Sequence, residues 1–412
     1  MAQIYSVRAN VRKDDAYSVM SASSHTPSTI SCLDNKQHAS KRRILAQLFT
    51  DSALKGVEDR VLAHINTFCT SLGDAEKGNW GKVKNVAALS DYLTFDIISD
   101  LCYGKAFDLL QSEALRYIPR VITHISRRNA ICFVQPKVWK YKFDRIFLST
   151  ISSQIRTFGT WIKEQTKTRS SVAENAGLQD FFTHLSIARD SKTERSFSQK
   201  EIWVELLQLV IAGSDTTAVA ISGVFFYLVQ NPSALSRATA EILASFDNID
   251  EICSGARLSS CVFLQACINE ALRLSPPVTG LAPRKVLPGG IQVDGIDFPE
   301  GTIIGSPIYT LHRSKDYFHH PDSYLPERWL MEPDGGSEND CIRSPLYPFS
   351  LGPRACVAKK LAMREISLTV ARVLWMYEMR TDKALSGVAD YQLKGWMTSG
   401  RDGPFVQFRR RW

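Results

Sequence analysis

The nine cysteines, at 32, 69, 102, 132, 253, 261, 267, 341 and 356, are scattered over 412 residues and never stand in CxxC spacing. That excludes a zinc finger or ribbon and a small disulfide-stapled scaffold, and it reads as a reduced, cytosol-facing chain. The opening residues Met1-Ala-Gln-Ile-Tyr-Ser-Val-Arg lack the apolar core of a signal peptide or anchor. Basic residues outnumber acidic ones only mildly, 50 to 42, for a formal charge of +8. They cluster at Lys41-Arg42-Arg43 and Arg409-Arg410-Arg411 without any nucleic-acid motif, so the surplus is compatible with an acidic protein partner or a membrane surface. There are no internal repeats. The longest apolar run, 204–229, carries Ser214-Asp215-Thr216-Thr217 at its middle. A lone carboxylate at mid-bilayer costs about 2.5–3.5 kcal/mol, so this run is read as a buried helix.

What is present is a helix-rich pattern with a minor β element. Residues 1–34 are polar and Ser-rich and are read as a poorly ordered or residual N-terminal segment. Helical spacing appears over 39–50, 54–72 and 86–103. Helices over 108–170 break near Pro119 and Pro136 and include the aromatic and basic stretch Trp139-Lys-Tyr-Lys-Phe143. Glu174 to Gly177 reads as a loop. Ser198-Gln-Lys-Glu201 is a capping box opening a helix that Asn231-Pro232 stops. Another helix covers 260–274. Between 285 and 305, short β-type runs alternate with Gly-Gly, Asp-Gly and Glu-Gly turns, predicting a small antiparallel sheet. A polar meander over 331–348 leads to a final long helix, 357–375, and a β-like tail.

Four constellations carry chemistry. Phe349-Ser-Leu-Gly352-Pro-Arg354-Ala-Cys356-Val-Ala358 sets a cysteine in a glycine-marked loop before a helix, where a thiolate is favoured and suits a soft axial ligand to haem iron. A single cysteine is more often an inert buried thiol, so the reading rests on the whole decapeptide. Ala212-Gly213-Ser214-Asp215-Thr216-Thr217 places a carboxylate and a hydroxyl mid-helix, either as a proton relay or as a polar notch satisfied by water and backbone; Thr216 can also donate to the carbonyl four residues back. Glu270 and Arg273 share a helix face, and Arg328 of Pro326-Glu-Arg-Trp329 can reach the same carboxylate. His38-Ala-Ser-Lys-Arg42 opens a basic helix, either a solvated charged face or a source of donors to an anionic cofactor, with Arg284 and Arg354 as further candidates.

In this order and spacing, these elements resemble the cytochrome P450 family of haem-thiolate monooxygenases. The loop follows F-x-x-G-x-R-x-C-x-[GA] with Ala358 at the last position, and the others follow A-G-x-D-T-T, E-x-x-R and P-E-R-W. The resemblance covers 35–408, including Asp96 to Phe107, with His38-x-x-x-Arg42 where many members have Trp-x-x-x-Arg. Its flavour is that of fungal members of secondary metabolism or aromatic hydroxylation. It implies a mainly α fold with a minor antiparallel β region, and a haem domain over 35–412. It implies haem b held by Cys356, with His38, Arg42, Arg284, Arg354 and Phe349 around it. Asp215 and Thr216 would deliver protons, while Ala212, Val278, Leu281, Met397, Thr398 and the region 115–170 would contact substrate. The partners implied are O2, an apolar small molecule, and an NADPH-dependent reductase on the basic proximal face.

The departure is at the N-terminus. The family has a longer segment before the helix at His38, including a membrane anchor by which full-length relatives sit in the endoplasmic reticulum, the first helices and two strands. Here at most 37 residues stand there. The chain therefore reads as a P450 fold lacking its N-terminal helices and strands, as from a truncated gene product, with an open edge on the 285–305 sheet. Competing readings are a haem-thiolate isomerase or dehydratase without net oxygenation, and a catalytically incompetent fragment.

Overall fold

The computed structural model describes residues 1–23, 25–73, 78–171, 180–330, 346–381 and 391–412. In chain order the helices are α1 (Ala2–Tyr5), α2 (Asn35–Ala46), α3 (Asp51–Gly56), α4 (Glu58–Leu72), α5 (Val86–Tyr103), α6 (Ile118–Val134), α7 (Pro136–Lys140), α8 (Asp144–Phe147), α9 (Ser149–Ser171), α10 (Phe181–Ile187), α11 (Gln199–Gln230), α12 (Pro232–Ser245), α13 (Ala256–Ser259), α14 (Val262–Leu274), α15 (Ile308–His312) and α16 (Lys359–Met376). The strands are β1 (Val11–Lys13), β2 (Lys84–Asn85), β3 (Arg284–Val286), β4 (Ile291–Val293), β5 (Ile296–Phe298), β6 (Ile303–Ile304), β7 (Tyr377–Thr381), β8 (Lys394–Gly395), β9 (Ser399–Gly400) and β10 (Phe405–Arg410).

Helix α11 organises the core. Its capping box closes as expected: the Glu201 amide donates to Ser198 Oγ at 3.3 Å and the Ser198 amide donates to the Glu201 carboxylate at 3.1 Å. Among the described residues it is the one helix long and apolar enough to cross a membrane, but 72% of its most apolar window is buried in the molecule. Helix α5 lies along it, capped by Asn85 and ended by Gly104 at φ 67°. Gly213 permits the close approach, since a Cβ there would come within 3.0 Å of Ile98. Thr94 of α5 donates to the Ser214 carbonyl of α11 at 2.8 Å, which locks the register of the two helices.

All strand pairs are antiparallel, in two three-stranded sheets, β1-β3-β6 and β2-β10-β7, and two hairpins, β4-β5 and β8-β9. The predicted Asp-Gly turn joins β4 to β5, with Asp294 and Gly295 at φ 51° and 80°. The helix breaks expected near Pro119 and Pro136 are there: α6 starts at Ile118 and ends at Val134, α7 starts at Pro136, and both prolines occupy first turns, where a missing N–H costs nothing.

The N-terminal segment corrects the expectation for residues 1–34. Helix α1, strand β1 and a 3-10 helix over Asp15–Met20 are all built, the last capped by Asp14, which accepts from the Ala16 amide at 2.9 Å. Val11 pairs with Val286 and Lys13 with Arg284, so β1 covers the sheet edge expected to be open. The driving force is a small separate core in which Ile4, Tyr5, Val11, Val286 and Ile304 bury one another. Ser24, Cys341, the Glu174–Gly177 loop and all but 346–348 of the meander fall outside the described residues.

Candidate active site

The cysteine loop is fixed from below by its own backbone and from the side by the N-terminus. The Cys356 amide donates to the Phe349 carbonyl at 2.9 Å, and Lys359 lies over the Phe349 ring at 5.7 Å. Gly352 has φ 74°, and a Cβ there would fall 1.8 Å from the Tyr5 carbonyl oxygen, so only glycine lets the loop pass under α1. Arg42 of α2 donates to the Ala355 carbonyl at 2.6 Å, bringing its charge beside Cys356. Cys356 is exposed as a residue, while protein surrounds its thiol closely. Burial pushes its pKa up, against the Ala358 amide, Arg42 and Lys359, which pull it down. The helix-start effect expected from sequence is therefore real but outweighed, and the free group is a thiol at neutral pH.

Around the loop the structure gathers cations that make no ion pair with a carboxylate among the described residues. His38 is 4% exposed, and burial, then Arg354, Lys13, Arg42 and Arg284, press its pKa down to about 3. It is a neutral imidazole, which can still donate a hydrogen bond but brings no charge. Burial and the same arginines depress Lys13 well below its ordinary value. Lys13 Nζ donates to the Ile30 carbonyl at 2.5 Å and sits 4.1 Å over the Tyr17 ring. Arg284 donates to Tyr17 Oη at 3.4 Å and to the Ala282 and Pro283 carbonyls, each at 3.1 Å. Arg354 donates to the Cys32 carbonyl at 2.6 Å, the Leu33 carbonyl at 3.2 Å and Asn35 Oδ1 at 2.9 Å, and burial brings it down to about 10. Lys13 and Tyr17 escaped the sequence reading, because neither belongs to a motif.

Asp215 and Thr216 stand on α11 but point to different partners. Thr216 Oγ1 donates to the Ala212 carbonyl at 2.8 Å, the back-bond anticipated from sequence, and the helix stays continuous. Asp215 accepts from Thr398 Oγ1 and, at 3.3 Å, from Arg401 Nη1. Thr398, expected at the substrate, is thus engaged; its Oγ1 also lies 2.8 Å from Ser126 Oγ. Ser399 donates its amide to the Pro277 carbonyl at 2.9 Å, which brings Val278 alongside Met397 and Thr398. Leu281 stands apart, bridged to Pro307 and 45% exposed.

Glu270, Arg273 and Arg328 meet. Arg273 Nε and Nη2 donate side by side to the two oxygens of Glu270, at 2.9 and 2.8 Å, and Arg328 Nε donates to it at 3.0 Å. Trp329 Nε1 at 2.9 Å and the Leu325 amide at 3.0 Å complete the shell. Arg273 also donates to the His312, Pro321 and Ser323 carbonyls, so one buried cluster ties α14, α15 and the strand-less 313–329 segment together.

One exposed cysteine near several buried and half-buried cations could hold a metal-bearing group with two anionic arms. That donor set fits haem, and it defines the class of haem-thiolate proteins. The cytochrome P450 family profile matches residues 8–390, and the chain belongs to that family of enzymes. It is 34% identical to the cytochrome P450 monooxygenase apf7 of Gibberella fujikuroi, over 99% of this chain and 82% of the relative. It is also 34% identical to poxM of Penicillium oxalicum, over 100% and 79%, and 33% identical to a cytochrome P450 monooxygenase of Gibberella zeae, over 99% and 97%. The fold matches a crystal structure of the cytochrome P450DA heme domain with a TM-score of 0.78 at 19% identity, over 100% of this chain and 86% of that one. The mainly α fold with small antiparallel sheets is the P450 fold.

Proposed function

We propose that this P450 inserts one atom of O2 into an apolar small molecule, by hydroxylation or epoxidation, in fungal secondary metabolism. Electrons come from NADPH through a reductase. The observation that carries this reading is the group of buried and half-buried cations near the cysteine loop: among the described residues Lys13, Arg42, Arg284 and Arg354 make no ion pair with a carboxylate, although Asp34 acts on Arg354 from farther off. Haem b, when bound, supplies oxygen binding and activation at its iron. Cys356 would hold the iron through its sulfur as a thiolate, which the charge of a bound metal would favour against the cost of burial.

Lys13, Arg42, Arg284 and Arg354 would hold the two haem carboxylates, and neutral His38 would add a hydrogen bond without charge. Phe349 and Gly352 hold the loop that presents Cys356. Asp215 and Thr216 hold and pass protons toward the site. Ala212, Val278, Met397 and Thr398 line the substrate side, with Leu281 farther out at the entrance. Lys359 and Lys360, exposed directly after Cys356, supply the positive proximal face on which an acidic reductase surface docks. The eight described cysteines are free, which supports a reducing, cytosol-facing location. Fungal cytochrome P450 monooxygenase relatives over nearly the whole chain support the monooxygenase activity.

The test is the reduced carbon monoxide spectrum of the haem-loaded protein. The red-shifted Soret band of thiolate-ligated haem is expected, and its loss in Cys356→Ser. Haem that loads without that band in the wild type would remove Cys356 from the iron. For the relay, Thr216→Ala is expected to raise the hydrogen peroxide formed per NADPH oxidised; an unchanged ratio would exclude Thr216.

A further inference from the structure

Asp215 is held by a cluster that the relay does not itself need. Arg401, between β9 and β10, has a side chain 4% exposed. Its Nη2 donates to Asp91 Oδ1 on α5, its Nη1 to Asp215 Oδ1 on α11 at 3.3 Å, and its Nε to Ser222 Oγ at 3.4 Å. Thr398 occupies the other oxygen of Asp215, and Ser126 of α6 lies within hydrogen-bonding distance of Thr398. Thr216 meanwhile spends its hydroxyl proton on its own helix. The acid and the alcohol are thus turned apart.

One guanidinium serves two carboxylates, so the cluster carries an excess negative charge in a poorly hydrated place. Burial and the neighbouring Asp215 push Asp91 up to about 6, against the pull of Arg401. The remaining titratable groups acting here are Tyr391, which burial raises to about 12 and so keeps neutral, and Asp402, which accepts from Asn85 Nδ2 at 2.7 Å.

We propose that Arg401 is the positioning residue of Asp215: by dividing its guanidinium between Asp91 and Asp215 it holds the Asp215 carboxylate on Thr398 and away from Thr216, and it frees Asp215 when Asp91 takes the arginine alone. The inference rests on the relay reading of Asp215 and Thr216. The geometry points to release on the Asp215 side, because its contact with Arg401 is the longer of the two carboxylate contacts. Three elements distant in sequence are joined by this one side chain, so a shift of the C-terminal hairpin against α5 is felt at the acid.

Two experiments on the haem-loaded protein test it. The first is a thermal double-mutant cycle with Asp91→Asn, Asp215→Asn and the pair. Each single variant leaves Arg401 one carboxylate, whereas the pair strands a buried cation. The loss of thermal midpoint in the double variant is therefore expected to exceed the sum of the singles. Additive losses would show that the two carboxylates do not share the arginine and would overturn the inference. The second measures hydrogen peroxide formed per NADPH oxidised with a P450 reductase and no added substrate. Asp91→Asn confines Arg401 to Asp215, so its peroxide share is expected to rise several-fold, as in Asp215→Asn and Thr216→Ala. In the wild type the share should climb as pH falls through about 6, where Asp91 takes up its proton, and this step should vanish in Asp91→Asn. If Asp215→Asn and Thr216→Ala change the share while Asp91→Asn does not, Arg401 does not position the acid and the relay stands. If none of the three changes it, the relay itself fails, and the inference falls with it.

Discussion

Glu365, on the helix that follows the cysteine loop, gives a stability prediction with a definite sign. The residue is 3% exposed and is flanked on α16 by the buried Leu361, Ile366, Leu368 and Thr369. Burial alone acts on its carboxyl and pushes it up from 4.5 to about 8, with no charged or hydrogen-bonding group among the described residues pulling it back. Below pH 4.5 the carboxyl is protonated in both the folded and unfolded chains and contributes nothing. Between 4.5 and 8 the unfolded chain ionises while the folded one keeps its proton, so stability falls as pH rises. At about 1.4 kcal/mol per unit, the loss reaches about 3 kcal/mol at pH 7 and about 5 kcal/mol at pH 8. Glu365→Gln keeps the shape and cannot ionise. It should match the wild type at pH 5 and exceed it progressively toward pH 8, read as the thermal midpoint of the haem-loaded protein at one scan rate. Two curves that stay parallel across this range, or a glutamine that destabilises more at pH 8 than at pH 5, would refute the reasoning. Either result would mean that a counter-charge reaches the carboxylate.

Glu270→Ala removes the acceptor shared by Arg273, Arg328 and Trp329 and strands two cations in the interior. The expected loss is about 3–5 kcal/mol, seen as a collapse of soluble, haem-loaded yield, and a thermal midpoint near the wild-type value would count against the network. Gly352→Ala forces a methyl group into the Tyr5 carbonyl, 1.8 Å away, at a φ of 74°. The thiolate-type carbon monoxide band should give way to that of haem with its cysteine displaced, measured as the ratio of the two bands. Lys13→Met leaves the stem but removes one cation from the site. Transfer of haem to apomyoglobin should accelerate by about tenfold or more, the equivalent of one charge-assisted bond, with little change in thermal midpoint of the haem-free protein.

Local rules made parts of the fold legible in the sequence. The capping box at Ser198 and Glu201 and the Asp294-Gly295 turn each depend on neighbours a few residues away. Glu270 and Arg273 are one helical turn apart, and Arg328 could be added because Pro-Glu-Arg-Trp advertises a tight, charged turn. Arg401 could not be found this way. It lies in Ser399-Gly-Arg-Asp-Gly403, which reads as a solvated surface turn, and its partner Asp91 is 310 residues away. Only the packing of α5 on α11, set by Gly213 and Thr94, and the closing of β10 on β2 bring them together. The same blindness explains Thr398. Its bond to Asp215 is a consequence of where the hairpin lands, which composition does not reveal.

Residues 1–34 show how a polar, serine-rich stretch can be structural. Its apolar content is small, but Ile4, Tyr5 and Val11 fall where β3 and β6 offer Val286 and Ile304, and that is enough to close a second core. The consequences reach the site. Tyr5 places its carbonyl where Gly352 must pass and donates its hydroxyl to the Ala282 carbonyl at 2.9 Å, so the cysteine loop and the β3 approach are gauged against one side chain. Lys13 continues the same strand into the cation group. Its pairing with Arg284 across β1 and β3 puts two positive residues directly opposite each other, an arrangement that is unfavourable in a sheet unless an anion lies between or beside them. The strand register therefore carries the same message as the depressed Lys13 and His38: this wall of the molecule is built to receive negative charge, and the N-terminal segment is part of that wall.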